Sequence, residues 1–388
     1  MSATTKTRVL IVGCGIIGKH HGIVLTRHPS FEVTALVDTA SEQASAAADI
    51  IVAEGGAVPQ TFGSIGEALA TGEVDLVAIC TPSGLHVGEA EEVLRHDVHL
   101  VIEKPLDVSV ELGTRFAKLA ADAADKGLLV SVISQHRFDP ANAAIREAIV
   151  DGRFGRITSA MASMAWYRSQ QYYDQGDWRG TWALDGGGAV MNQGVHTVDL
   201  LRWFLGRPVE IFAHTAQLAH ERIEIEDTAT ATVRFDSGAL AVIHATTAAF
   251  PGLTTRIQVH GSAGSAIVNG DQLEYFFSAP DAGPFGTHGF SAHAGAVIEN
   301  QADQVVPAEF LTSSPKPPDN FIRGHARQYD DIAAAIADRR APGVTVDEAL
   351  LSLALVRSLY LSATLGKPVL FDEVLAGRYD DVVTEVRS

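Results

Sequence analysis

A short apolar run at residues 8–12 leads directly into Gly13-Cys14-Gly15-Ile16-Ile17-Gly18, and a helical stretch follows to residue 28. This feature restricts the fold more than any other in the chain. The run reads as a parallel strand buried on both faces. The G-x-G-x-x-G that follows needs a strand before it and a helix after it, and both are present. Such glycines permit a tight turn, let backbone approach a pyrophosphate, and let helix pack on strand. The N–H groups at the helix start then face the phosphate charge. Gly13, Gly15, Ile16, Ile17 and Gly18 are therefore expected to border a dinucleotide.

A second strand at 32–37 ends at Asp38, twenty residues beyond Gly18. A carboxylate there can accept hydrogen bonds from the ribose hydroxyls of NAD and would repel a 2′-phosphate. Thr39 and Ala40 follow, with no Arg nearby to hold such a phosphate, so NAD is expected over NADP. The plainer alternative for Asp38 is a turn residue at a strand end.

Helices and strands keep alternating: helix 41–51, helix 65–70, strand 74–80, helix 86–95, strand 99–102, a helix marked by Val108, Leu112, Phe116 and Leu119, and strand 128–133. With the strands at 8–12 and 32–37 these make five, and the alternation is that of a doubly wound α/β Rossmann domain over residues 1–134, which is complete with six. Ligands in such sheets lie beyond the carboxyl ends of the strands. That places Thr81 and Pro82, with His86 at the next helix start, and Glu103-Lys104-Pro105 beside the cofactor.

Residues 135–388 read as an α+β domain for substrate binding and oligomerisation, with a large, mainly antiparallel open sheet. Asp139 reads as an N-cap with Pro140 at the first helical position. Strands are expected at 157–164, 209–214, 228–235, 239–245 and 256–260, and helices at 324–338 and 346–365. Residues 279–320, rich in Gly, Ala and Pro, read as a surface excursion over the site or an interface. The irregular stretch 166–182 carries Tyr172, Tyr173, Trp178 and Arg179, a possible sugar-stacking wall or ordinary packing.

Asp185 and three glycines then lead into a helix running to about residue 206. On it Asn192, His196, Asp199 and Trp203 share one face, while Val195, Val198, Leu201 and Leu205 form an apolar one. A polar stripe of this kind needs water or a ligand. The glycines leave room for another molecule against the backbone.

The formal net charge of −18 opposes nucleic acid or an anionic membrane as a partner. The two cysteines, Cys14 and Cys80, sit at buried strand ends and argue against a disulfide framework. The Cys and His spacings suggest no metal site, and no membrane span or signal peptide stands out, so a soluble cytoplasmic protein is expected.

Taken together, Gly13-x-Gly15-x-x-Gly18, Thr81-Pro82 with His86, Glu103-Lys104-Pro105, and Gly186-Gly187-Gly188 leading to Gly194-x-His196-x-x-Asp199 resemble the glucose–fructose oxidoreductase/inositol dehydrogenase/rhizopine catabolism (Gfo/Idh/MocA) superfamily. Asn192-Gln193-Gly194-Val195-His196, preceded by Trp178-Arg179-Gly180-Thr181-Trp182, is similar to a subset acting on sugars and glycosides, including levoglucosan dehydrogenase and glycoside 3-dehydrogenases. The resemblance implies an NAD-dependent dehydrogenase that oxidises a ring hydroxyl, C3 being the position favoured by that subset. Lys104 and His196 are its catalytic pair. A histidine has a pKa suited to take the hydroxyl proton, and a lysine ammonium can stabilise the developing alkoxide.

Asn192, His136, Tyr173, Trp178, Arg179 and Asp185 are the expected substrate contacts. Inositol dehydrogenases carry Asp where this chain has Asn192, so an Asp–His pair on this helix is not available and the inositol assignment is weakened. The alternatives are reduction of a keto-sugar in reverse, an inositol-type activity, and a non-catalytic cofactor or sugar sensor, since the yeast galactose repressor resembles the same superfamily. Family habit implies a homodimer or homotetramer.

Overall fold

The computed structural model describes residues 6–279 and 299–386. In chain order the first elements are β1 (Thr7–Val12), α1 (Ile16–Arg27), β2 (Phe31–Val37), α2 (Ser41–Ala53), β3 (Gln60–Phe62), α3 (Ile65–Leu69), β4 (Leu76–Ile79), α4 (His86–Leu94), β5 (His99–Ile102), α5 (Val110–Asp125) and β6 (Val130–Val132). Then come α6 (Pro140–Val150), β7 (Ile157–Ala165), α7 (Gln170–Tyr173), α8 (Val195–Leu205), β8 (Pro208–Ala216), β9 (Thr228–Phe235), β10 (Leu240–Thr246), β11 (Thr255–Gly261), β12 (Gly264–Asn269) and β13 (Gln272–Ser278). The last are α9 (Ala302–Val305), α10 (Asn320–Asp338), α11 (Val346–Leu365), β14 (Val369–Leu370) and α12 (Phe371–Leu375).

The first six strands form one parallel sheet in the order β3-β2-β1-β4-β5-β6. The order reverses between β1 and β4, which is where an open α/β sheet leaves its ligand crevice. Strands β4 and β5 carry apolar side chains on both faces because helices cover both. The edge strand β3 was not read from the sequence. Its residues Gln60, Thr61 and Phe62 are polar or half-exposed, so no apolar run announces it.

Two compact units emerge: Met1–Gln135 with Ala183–Gly186 and Asp319–Leu353, and His136–Trp182 with Gly187–Pro318 and Ala354–Ser388. This differs from a single division after residue 134, because α10 returns to the first unit. Its Tyr329, Ile332 and Ala335 are buried in one core with Val9, Ile11, Phe31, Leu36 and Val101. Each large side chain buried in this way contributes roughly 1.5–3 kcal/mol.

The second sheet runs β13-β12-β11-β7-β10-β9-β8-β14, antiparallel except for the β7–β10 pair. One face is buried through small residues, Ala160 and Ala162 of β7 with Ala241 and Ala245 of β10, and α8 packs there. The other face leaves Met161, Leu240 and Val242 exposed.

One expectation changes at the level of elements. Helix α11 is long and apolar enough to cross a bilayer by composition, although the sequence reading found no such span; it is mostly buried as a core helix. Of the excursion at 279–320, residues 280–298 lie outside the described residues, and α9 lies within the rest.

Candidate active site

The glycine fingerprint forms the expected turn. Gly13 has φ +87°, and a Cβ there would lie 2.8 Å from the Cys80 carbonyl carbon. At Gly18 a Cβ would lie 1.9 Å from the Gly13 carbonyl oxygen. Gly15 differs, because a Cβ there would meet nothing within 4 Å. Gly13 and Gly18 thus satisfy the chain's own packing, while Gly15 keeps space clear over the start of α1. No side chain caps that helix, so its first N–H groups suit a phosphate. Ile16 stands exposed beside them, and Ile17 packs toward the core.

Asp38 lies where the sequence places it. Its carboxylate accepts from Cys14 N–H at 2.7 Å and Ala40 N–H at 2.8 Å. It thereby joins the end of β2 to the glycine turn, and a carboxylate retains further lone pairs for ribose hydroxyls.

Beyond β4, the Thr81 hydroxyl donates to Glu89 at 2.6 Å, and Pro82 leads into the turn before α4. His86 is not presented to a ligand. It is buried, with Nδ1 2.7 Å from the Pro105 carbonyl oxygen and Nε2 2.9 Å from that of Thr81. A carbonyl only accepts, so the ring donates to one when neutral and to both when charged. Burial pulls its pKa down, with the two carbonyls opposing. His86 therefore braces the loops after β4 and β5 against each other.

Glu103 is buried and accepts from Lys104 N–H at 2.9 Å, fixing the backbone of the Glu103-Lys104-Pro105 turn. Asp185 is buried in the Ala183–Gly186 strip, where the Gly84 N–H donates to the Leu184 carbonyl at 3.1 Å.

In the second unit, the approach to α8 is a π-helical turn over Ala189–Gly194, a conformation frequent at functional sites. Asn192, His196 and Trp203 are half-buried on its open face, while Asp199 is buried. Asp199 accepts both arms of the Arg137 guanidinium, at 2.6 and 2.8 Å. Arg137 also lies 5.5 Å over the Trp203 ring. Asp199 thus anchors the helix.

Residues that the sequence reading missed hold this turn. The Glu226 carboxylate accepts from Gly188 N–H and Val190 N–H, each at 2.9 Å, and its backbone oxygen accepts from Ala189 N–H at 3.2 Å. The Tyr360 hydroxyl accepts from Met191 N–H at 3.1 Å and donates to Glu226 at 2.9 Å. Four consecutive N–H groups are thus satisfied. Burial pushes the Glu226 carboxyl up to about 7, against the pull of these hydrogen bonds.

The same residues correct the reading of the glycines. A Cβ at Gly187 would lie 2.2 Å from the Tyr360 hydroxyl, and one at Gly188 would lie 1.8 Å from the Glu226 carbonyl oxygen. The space is filled by the chain itself. An acidic pair, Glu226-Asp227, directly before β9 was the available signal.

His136 meets the His196 ring edge to face at 4.9 Å. Its Nδ1 lies 2.7 Å from Asp139 and 3.3 Å from Asp271. Asp139 therefore does not cap α6 with its side chain as expected; its carboxylate turns to His136. Tyr173 is likewise buried, its hydroxyl 2.9 Å from Thr247 Oγ1, so it packs the interior and does not form a wall. Arg179 stacks over one face of Tyr172 at 4.2 Å and of Trp178 at 4.9 Å.

Among the described residues, two clusters converge that linear spacing hides, His21 with Glu103 and His325, and His136 with Asp139 and Asp271. Within each, the donors and acceptors engage one another.

The oxidoreductase family with an NAD-binding Rossmann fold matches residues 7–133, and the GFO/IDH/MocA C-terminal domain matches residues 142–267. The chain belongs to the Gfo/Idh/MocA oxidoreductase family. This member is 31% identical to a 1,5-anhydro-D-fructose reductase of Ensifer adhaerens over 66% of this chain and 74% of that one. It is 30% identical to an inositol 2-dehydrogenase of Rhizobium meliloti over 66% and 73% of the two chains. Among solved structures, it is 32% identical to the WlbA dehydrogenase from Bordetella pertussis, in complex with NADH and UDP-GlcNAcA, with TM-score 0.78 over 95% and 99%. A levoglucosan dehydrogenase in complex with NADH and levoglucosan shares the fold at 20% identity, with TM-score 0.78 over 95% and 100%. The Gfo/Idh/MocA member described here is an oxidoreductase that uses NAD.

Proposed function

We propose that this enzyme oxidises a secondary ring hydroxyl, at C3, of a sugar or glycoside. The observation that carries the reading is His196, half-buried on a helix whose start is fixed by Glu226 and Tyr360. It occurs in a chain whose β5 ends in Glu103-Lys104-Pro105. NAD, when bound, supplies the hydride acceptor. His196 takes the hydroxyl proton as the C–H hydride leaves and the C–O bond becomes a carbonyl. Lys104 stabilises the negative charge that develops on that oxygen. In reverse the same groups return a proton to a keto-sugar.

The relatives support a sugar or polyol substrate: the names of two specify anhydrofructose and inositol, and one is solved with a nucleotide sugar. Asn192 supports a substrate outside the inositol branch, since an amide binds a hydroxyl but cannot neutralise an imidazolium.

The test is NADH formation with a panel of pyranosides, free sugars, inositols and UDP-sugars. Lys104→Ala and His196→Ala should each lower kcat by about a hundredfold or more. Turnover left intact in either variant sinks the assigned roles. NAD binding without turnover on any member of the panel points to a sensor.

A second copy covering the open sheet face is part of this reading. Met161, Leu240 and Val242 are adjacent in register and more than 40% exposed. A monomeric mass by light scattering excludes it.

A further inference from the structure

We infer that His21 and His325 are positioning residues for Lys104, acting through Glu103. The inference rests on the catalytic role proposed for Lys104. The two rings come from helices far apart in sequence, α1 and α10, yet both Nε2 atoms converge on the same oxygen. His21 Nε2 lies 2.9 Å from Glu103 Oε1, and His325 Nε2 lies 3.3 Å from it. The other carboxylate oxygen, Oε2, accepts the Lys104 N–H at 2.9 Å. One side of the carboxylate is thus fixed by two imidazoles, and the other fixes the backbone of Lys104.

The outer nitrogens determine where the hydrogens sit. His325 Nδ1 lies 3.0 Å from the Phe321 carbonyl oxygen, which only accepts, so Nδ1 carries a hydrogen. His21 Nδ1 lies 2.7 Å from the Tyr329 hydroxyl, which can donate to it and leave Nε2–H for Glu103. If Glu103 is ionised, His325 must carry hydrogens on both nitrogens to donate to it as well. The cluster then holds a carboxylate and an imidazolium side by side, with no net charge.

His21, His325 and Glu103 are each less than 5% exposed, and the two rings meet edge to face at 5.2 Å. Burial alone would push the Glu103 carboxyl up, but the hydrogen bonds from His21 and His325 hold it well below the usual range. A buried carboxylate that loses such a donor must either take up a proton or reorient. Either change releases the Lys104 N–H that it orients.

The experiment compares His325→Leu and His21→Leu with His325→Gln and His21→Gln, whose amide nitrogen falls near the Nε2 position and can still donate to Glu103. It has two readouts. One is hydrogen exchange of the Lys104 amide, followed by NMR on the NAD-loaded protein. The other is kcat and KM with a sugar that the native enzyme turns over. The Leu variants should lose about tenfold to a hundredfold in both amide protection and kcat, with KM and NADH affinity changed less than about threefold. The amide-bearing variants should recover most of the loss.

Lys104 exchange or kcat unchanged in both Leu variants overturns the inference, as does a loss that the amide variants do not restore. If the native protein turns over no sugar, the functional reading fails. The exchange measurement then decides the positioning by itself.

Discussion

The rings of His136 and His196 meet edge to face, with centroids 4.9 Å apart and planes at 79°. His196 lies on α8 beyond Asn192, where no carboxylate backs it from the preceding turn. Two carboxylates gather on its neighbour. Asp139 and Asp271 both reach His136, and the Lys316 ammonium lies 2.5 Å from Asp271. Asp271 does so from a left-handed backbone, φ +69°, at the turn between β12 and β13.

Stability should depend on pH through His136. Burial lowers its pKa, but Asp271 and then Asp139 outweigh that and leave it raised, with Lys316 opposing. A folded-state value above the unfolded one gives stability that is complete below the ordinary imidazole range. That stability is lost as pH rises through the raised value. Denaturant midpoints between pH 5 and 9 should therefore fall over this interval, and His136→Gln should remove that part of the slope. An identical slope in the variant would show that the two carboxylates do not hold a proton on this ring.

Glu226 makes a separate prediction. Its carboxyl is raised to about 7, so the folded chain holds a proton that the unfolded chain releases nearer 4.5. The contribution is complete below 4.5 and is lost as pH rises through about 7. Glu226→Gln cannot titrate, and its melting temperature should not carry this decline. The amide can accept at only one of the two N–H groups, Gly188 and Val190, so kcat should also fall by about tenfold. Native kcat in the variant would mean that the π-helical turn keeps its shape without the carboxylate.

Two of the fingerprint glycines should separate cleanly. Gly15→Ala meets open space, so its melting temperature should stay within a few degrees of native while NAD affinity drops. Gly18→Ala drives a methyl into the Gly13 carbonyl and should lose several degrees even without cofactor. Calorimetry and a fluorescence titration with NADH measure both. Native NAD affinity in folded Gly15→Ala would remove the phosphate from this turn.

Asp38→Asn keeps one acceptor for the turn but loses the charge that discriminates against a 2′-phosphate. The ratio of NADP to NAD dissociation constants should shrink by about tenfold. An unchanged ratio would place the discrimination elsewhere.

The first sheet was legible because β1, β4 and β5 carry apolar runs, and β2 alternates into one, between helices, a pattern that depends only on neighbours in sequence. The polar face of α8 was legible for the same reason, since Asn192, His196 and Trp203 follow helical spacing despite the π-helical turn. What escaped were partnerships over long separations. Glu226 bonds Tyr360 134 residues away, and Glu103 bonds His325 222 residues away. Nothing local to those residues distinguishes them. Where local chemistry offered two partners, the distant contact decided. Asp139 could have capped α6 but turned to His136, and Tyr173 could have faced solvent but buried its hydroxyl against Thr247.

The return of α10 to the first unit bears on biosynthesis. A ribosome that has released only the first 135 residues has exposed every strand of the parallel sheet, yet Phe31 still lacks Tyr329 at 5.5 Å and Glu103 still lacks His325. Cofactor affinity should therefore emerge late, once residues 319–353 have left the exit tunnel. A nascent chain stalled before them should hold NAD poorly. The cofactor-binding unit has its strands before residue 135 but is completed only by residues 319–353.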